Sequence, residues 1–214
     1  KAIEINPDYA EAHSNLGNIL IDLGNLQKAE VSTRKAIELN PNYAKAHSNL
    51  GIILSNLGNL QDAEVSTRKA IELNPDYAEA HLNLGTILKD LGNLQDAEIS
   101  TRKAIEINPN FAKAHSNLGI ILSNLGNLQD AEVSTRKAIE LIPDFAEAHS
   151  NLGNILRELG NLQDAEISLR KAIEINPDSA MAHSNLGVLL KEIGKLKDAE
   201  ISTRKVIEIK PDFA

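Results

Sequence analysis

Ala12-His13-Ser14-Asn15-Leu16-Gly17 returns as Ala46 to Gly51, Ala80 to Gly85, Ala114 to Gly119, Ala148 to Gly153 and Ala182 to Gly187, always 34 residues on, with Leu82 the one change. All seven prolines, all six histidines and all twelve glycines fall on the same comb, so the chain is an array of one repeated unit. Six full units occupy 10–43, 44–77, 78–111, 112–145, 146–179 and 180–213, forming a single solenoid over 1–214. Residues 1–9 match the end of a unit (Lys35 to Tyr43) and Ala214 opens another, so the chain is read as a piece of a longer array that begins inside a helix. Each unit of such an array meets only its neighbours, and the core is a thin strip.

With 42% apolar and 24% charged residues the chain is neither disordered nor membrane-spanning, and no apolar run approaches the roughly 18 residues a spanning helix needs. The net charge of −8, with no Lys/Arg cluster, argues against nucleic acid, whose phosphates demand clustered cations. The absence of Cys removes disulfides and thiolate metal sites and suits a reducing compartment, so a cytoplasmic location is expected.

Within a unit, Asp8 with Glu11 three residues later reads as a capping box after the Pro7 turn, and Asp76 with Glu79 and Asp144 with Glu147 repeat it. Asn42 with Lys45 and Asn110 with Lys113 keep the cap without the acid. Leu23-Gly24-Asn25 ends the first helix: Gly24 supplies a left-handed residue and Asn25 caps a second helix from Leu26 to Leu39. At the helical period Ala12, Leu16, Ile19, Leu20 and Leu23 form one apolar face, beside a polar stripe of Glu11, Asn15, Asn18 and Asp22. Leu26, Ala29, Thr33, Ala36 and Ile37 face inward from the second helix, and Gly17, Ala29 and Ala36 are small where two helices approach closely. The spacing therefore predicts an all-α solenoid of helix-turn-helix units.

These residues resemble the tetratricopeptide repeat (TPR), whose marker positions here are His13, Leu16, Gly17, Leu20, Ala29, Thr33, Ala36 and Pro41. The resemblance covers the whole chain. It implies a right-handed α-α superhelix with the first helices lining a concave groove and the second helices on the convex back. Two positions depart from the family: its large aromatics are replaced by His13 and by Thr33, with Leu169 standing in the threonine column. A polar trio of His13, Glu30 and Thr33 is expected to replace aromatic packing between the paired helices.

The candidate binding element is the asparagine column Asn15, Asn49, Asn83, Asn117, Asn151 and Asn185. A primary amide both donates and accepts, so a regular ladder can hold the N–H and C=O groups of an extended peptide with little regard for its side chains. The next turn carries Asn18, Ile52, Thr86, Ile120, Asn154 and Val188, which extend the same face. The Ala-His-Ser-Asn-Leu-Gly stretch and its ladder look most like the TPR region of O-linked N-acetylglucosamine transferases, in which such asparagines hold substrate or adaptor backbones; nothing here resembles their catalytic domain. A chaperone-tail clamp, which uses Lys and Arg, is excluded, because those positions hold Ser or Leu and Asn.

Six histidines do not make a metal site: bound nitrogens must lie about 2 Å from one ion, whereas packed helices stand about 8–10 Å apart. Adjacent Ser14 and His13 point in different directions on one helix, and no glycine-rich loop follows a strand, so no enzyme, cofactor or metal is expected. Val31, Val65, Ile99, Val133, Ile167 and Ile201 form an apolar row on the back, expected to be covered by the stems of Arg34, Lys35 and their equivalents. The functional expectation is a scaffold that binds a protein or peptide partner in its groove. The alternatives are the recognition region of a larger enzyme such as a glycosyltransferase, and end-to-end self-association through uncapped ends.

Overall fold

The computed structural model describes residues 9–211, and among them twelve α-helices and no strand. Capping explains the even spacing of these helices less than the turns do. Asp8 lies outside the described residues. At the later equivalents the helices start at Ala78 and Ala146, with Tyr77 and Phe145 and not the acids as N-caps, and neither capping box forms. The Tyr77 carbonyl takes the first helical N–H groups from Ala80 and His81 at 3.0 and 3.2 Å, and in the same turn Asn74 Oδ1 accepts the N–H of Asp76 at 3.3 Å. Among the described residues only Ser179 caps with its side chain, accepting from the Ala182 N–H at 3.3 Å. Asn25 and its equivalents do stand at the N-cap of the second helix, without a side-chain cap bond. The glycine before them is left-handed, as at Gly58 with φ 84°, which a side chain would strain.

The chain forms two compact halves, Lys1–Pro109 and Asn110–Ala214. The first holds three helix pairs, α1 (Ala10–Asp22) with α2 (Leu26–Leu39), α3 (Ala44–Asn56) with α4 (Leu60–Leu73), and α5 (Ala78–Asp90) with α6 (Leu94–Ile107). The second repeats the pattern: α7 (Ala112–Asn124) with α8 (Leu128–Leu141), α9 (Ala146–Glu158) with α10 (Leu162–Ile175), and α11 (Ala180–Glu192) with α12 (Leu196–Ile209). In each half the second helix of one pair packs on the first helix of the next. The first helices also touch one another (α1 with α3, α3 with α5, α7 with α9, α9 with α11), whereas successive second helices do not. A stack held closer along one edge bends toward it, so within each half the first helices line the inner face and the second helices splay along the back. This is the all-α superhelical repeat fold.

The core is a strip of one apolar cluster per half. Leu50, Leu54, Ala63 and Ile87 form the first, and Leu152, Leu156, Ala165, Leu169, Leu186, Leu189, Leu190 and Ala199 the second. In α1 the expected apolar face is thinner than the period implies: Leu16, Ile19 and Leu23 are exposed, although Leu50 and Ile53 at the same positions of α3 are buried. Close helix approach is confirmed at the glycines. A Cβ placed on Gly51 would overlap Thr67 Oγ1, and on Gly153 would come 2.5 Å from Leu169 Cγ. Thr67, Thr101 and Thr135 are fully buried, each donating its hydroxyl to the carbonyl four residues back at 2.8 Å.

The polar trio does not form. In the second unit His47 Nε2–H donates to the Pro41 carbonyl at 2.9 Å, Glu64 pairs with Arg68, and Thr67 donates to Ala63. His81, His149 and His183 make the same bond to Pro75, Pro143 and Pro177 at 2.8–2.9 Å. Helical side chains lean toward the N-terminus, so a histidine near the start of the helix reaches back to the turn that precedes it. Its ring holds the loop between units, and the accepting carbonyl fixes the proton on Nε2.

Candidate functional site

The asparagine column lies on the inner helices, but its amides are not simply open to solvent. Asn49 Nδ2 donates to Ser14 Oγ at 3.2 Å and Asn83 Nδ2 to Ser48 Oγ at 3.1 Å. In the second half Asn151 bonds Ser116 at 3.2 Å and Asn185 bonds Ser150 at 3.3 Å. Each bond joins neighbouring first helices and spans 35 residues, one unit plus one position. The serines are buried, with Ser14 and Ser150 fully inaccessible, whereas Asn83, Asn151 and Asn185 are half-buried. Asn49 is the most enclosed rung at 6% exposure, and Asn15 is exposed. Asn117 is half-buried.

In the first half a tyrosine hydroxyl lies beside the rung, Tyr43 near Ser14 and Tyr77 near Ser48. Burial pushes both phenols above their ordinary value, the carboxylates of Glu11 and Glu79 add to this, and the serine hydrogen bond works the other way. Phe111 and Phe145 hold the tyrosine position later in the chain, without a hydroxyl.

The next-turn positions divide. Thr86 Oγ1 donates to the Leu82 carbonyl at 3.1 Å and presents chiefly its methyl. Asn154 is built into a polar lattice: it donates to Glu158 at 3.0 Å and accepts from Arg157 at 3.1 Å, while Ser123 donates to Glu158 at 3.2 Å and Arg157 reaches Glu192 at 3.5 Å. Asn154 is thus committed to its neighbours. Asn18, Ile52 and Ile120 are half-buried and Val188 is 51% exposed, so much of this turn is apolar shelf.

On the back, the apolar row is open. Val31, Val65, Ile99, Val133, Ile167 and Ile201 are 66–72% exposed, contrary to the covering expected of the basic stems. The stems are drawn elsewhere: Arg34 bonds Glu30 at 2.8 Å and Lys35 bonds Glu38 at 2.8 Å, and each unit repeats both pairs. Hollows of about 510 and 470 Å³ lie between α2 and α4 and between α4 and α6, floored by His47 with Leu50 and by His81 with Leu84. Among the described residues no group of His, Asp or Glu is placed to hold a metal ion, and no helix is long and apolar enough to cross a membrane.

One electrostatic contact is particular to the last two units. Lys195 occupies the turn position held by asparagine in the five earlier units, and its Nζ donates to Glu166 at 2.8 Å, where Arg170 also bonds at 2.9 Å. Lys195 and then Arg170 hold the Glu166 carboxyl below the usual carboxylate range, against an opposing push from burial. A depressed carboxylate stabilises the fold above its unfolded value and loses that contribution as pH falls through the folded value. The pair is partly exposed, so about 1 kcal/mol or less is at stake. Lys195→Asn is expected to be less stable than the parent by urea unfolding at pH 7, with the gap closing as pH falls through the folded Glu166 value; a gap that persists in acid would place the effect outside this ion pair.

A tetratricopeptide repeat model matches residues 10–43, 44–77, 78–111 and 146–179, and a second model of the same repeat matches 101–133 and 168–201. The chain belongs to the tetratricopeptide repeat family. Proteins built from TPRs generally act as protein–protein interaction scaffolds. No curated protein matches the chain. Among solved structures the TPR array resembles the anaphase-promoting complex hetero-tetramer Cut9–Hcn1 (TM-score 0.91, 18% identity), covering 98% of this chain but 42% of that one. It also resembles YrrB, described as a TPR protein with an unusual peptide-binding site (TM-score 0.62, 30% identity, 85% of this chain and 94% of that one). PilF of Pseudomonas aeruginosa shares the fold (TM-score 0.80, 20% identity, 94% and 92% covered).

Proposed function

We propose that the inner face of each half holds an extended peptide segment of a partner protein, bound through its main chain by the asparagine ladder, and that the array serves as a scaffold and not as a catalyst. The observation that carries this reading is the repeated serine bond. It occupies one amide hydrogen of Asn49, Asn83, Asn151 and Asn185, leaving on each an amide oxygen and a second hydrogen, the complement of a peptide N–H and C=O. Beside the rungs, Ile52, Ile120 and Val188 offer apolar contact that tolerates many side chains. The peptide-binding site described for YrrB, 30% identical, supports the same class of ligand. A narrower version has the groove selecting substrates for a glycosyltransferase in the same polypeptide, and its support is the Ala-His-Ser-Asn-Leu-Gly stretch repeated along the chain.

The test is titration of a randomised peptide pool against the parent and a variant with Asn49, Asn83, Asn151 and Asn185 all changed to alanine, circular dichroism confirming that both are helical. At about 0.5–1.5 kcal/mol per lost hydrogen-bonding group and about 1.4 kcal/mol per factor of ten, affinity is expected to fall roughly 30-fold or more. Equal binding by the two proteins would remove the ladder from the function.

A further inference from the structure

We propose that Ser14, Ser48, Ser116 and Ser150 are positioning residues, which fix the orientation of each ladder amide before a peptide arrives; this rests on the reading of the asparagine column as the binding element. The serines do not touch the ligand themselves. They are at most 3% exposed, so a peptide in the groove cannot reach their hydroxyls and any effect on binding passes through the asparagines.

The need for such a device follows from the asparagine side chain. Two rotatable bonds let a surface amide turn its oxygen and nitrogen about freely, and each rung frozen on binding costs affinity. A bond of 3.1–3.3 Å to a hydroxyl on the preceding first helix removes that freedom in advance. It also decides which end of the amide is spent: the nitrogen is held, so the oxygen is left for a ligand N–H.

Asn15, which is exposed, serves as the internal reference.

The experiment pairs side-chain amide hydrogen exchange by NMR with peptide titration. In the parent, one of the two Nδ2 protons of Asn83 and of Asn185 is expected to exchange about tenfold more slowly than those of Asn15, the order of protection one buried-side hydrogen bond confers. Ser48→Ala and Ser150→Ala are expected to abolish this asymmetry at Asn83 and Asn185 respectively. The double variant is expected to bind the randomised peptide pool about tenfold more weakly with every asparagine intact. Ser48→Thr, which keeps the hydroxyl, restores the slow proton. Exchange that ignores Ser48 and Ser150 overturns the proposal. So does lost protection with unchanged affinity, which would make the serines a helix-to-helix tie and nothing more. A parent that binds no peptide at all is a different result: it removes the peptide-binding reading and this inference with it, whereas a parent that binds while the serine variants give either of those two results overturns only the inference.

Discussion

Gly51→Ala is expected to destabilise the array by about 2 kcal/mol or more, although alanine is the better helix former by about 1 kcal/mol. The added methyl would overlap Thr67 Oγ1 and lie 3.2 Å from the Ala63 carbonyl oxygen and 3.3 Å from Thr67 Cβ. Neither neighbour can give way cheaply. The Ala63 oxygen is backbone, and Thr67 is fully buried with its hydroxyl donated to that same oxygen at 2.8 Å, so turning it aside strands a polar group. The helices must instead separate along the whole pair. Two comparisons isolate the cause in urea unfolding followed by circular dichroism. Gly187→Ala should cost much less, because the Thr203 hydroxyl stands 3.0 Å from that methyl. Thr67→Ala combined with Gly51→Ala should recover much of the loss. A Gly51→Ala protein that melts at or above the parent temperature would show that the α3–α4 contact is looser than described.

Leu156→Ala is expected to cost about 2–5 kcal/mol, the range for removing a buried leucine and leaving a cavity. Leu156 is 1% exposed in a cluster with Leu152, Leu169, Leu186 and Leu190, which ties α9, α10 and α11 together. Because a repeat array is stabilised by each unit and its nearest-neighbour contacts, the loss should be local. Backbone hydrogen exchange is expected to quicken in α9 to α12 and to hold its parent rate in α3 and α4. Equal acceleration through both regions would mean that the chain opens as one cooperative body.

What the sequence made legible follows from its period. Helix boundaries at Leu26 and Leu39, the glycine turns, and the small residues at Gly17 and Ala29 all depend on neighbours within one unit, and a 34-residue comb displays them directly. The serine column is plain in the repeat, yet its bond to the asparagines is not. That bond joins Ser48 to Asn83 across one unit plus one residue, an offset set by how neighbouring helices lie against each other. A period alone does not carry that offset. The histidine role was within reach: His47 lies six residues after Pro41, and the backward lean of helical side chains points it at that turn. The capping boxes fail by a single residue, because Tyr77 and Phe145, and not the acids before them, stand at the N-cap. The back of the array was misread because a nearby carboxylate competes for each arginine: Glu30 takes Arg34, and Val31 stays bare.

The helix pairs meet one another in a single repeated way, α2 on α3 as α4 on α5, and this bears on inheritance as much as on stability. If residues 44–77 were lost, Tyr43 would be followed by Ala78, another alanine that opens a first helix, and Asn83 would again find a serine one register back, now Ser14. Units 44–77 and 112–145 differ only at Asn74/Ile142 and Tyr77/Phe145, the kind of near-identity on which unequal crossing-over acts. Each such event adds or deletes one rung without breaking the reading frame of the fold. The number of units is therefore something a lineage can adjust in whole steps.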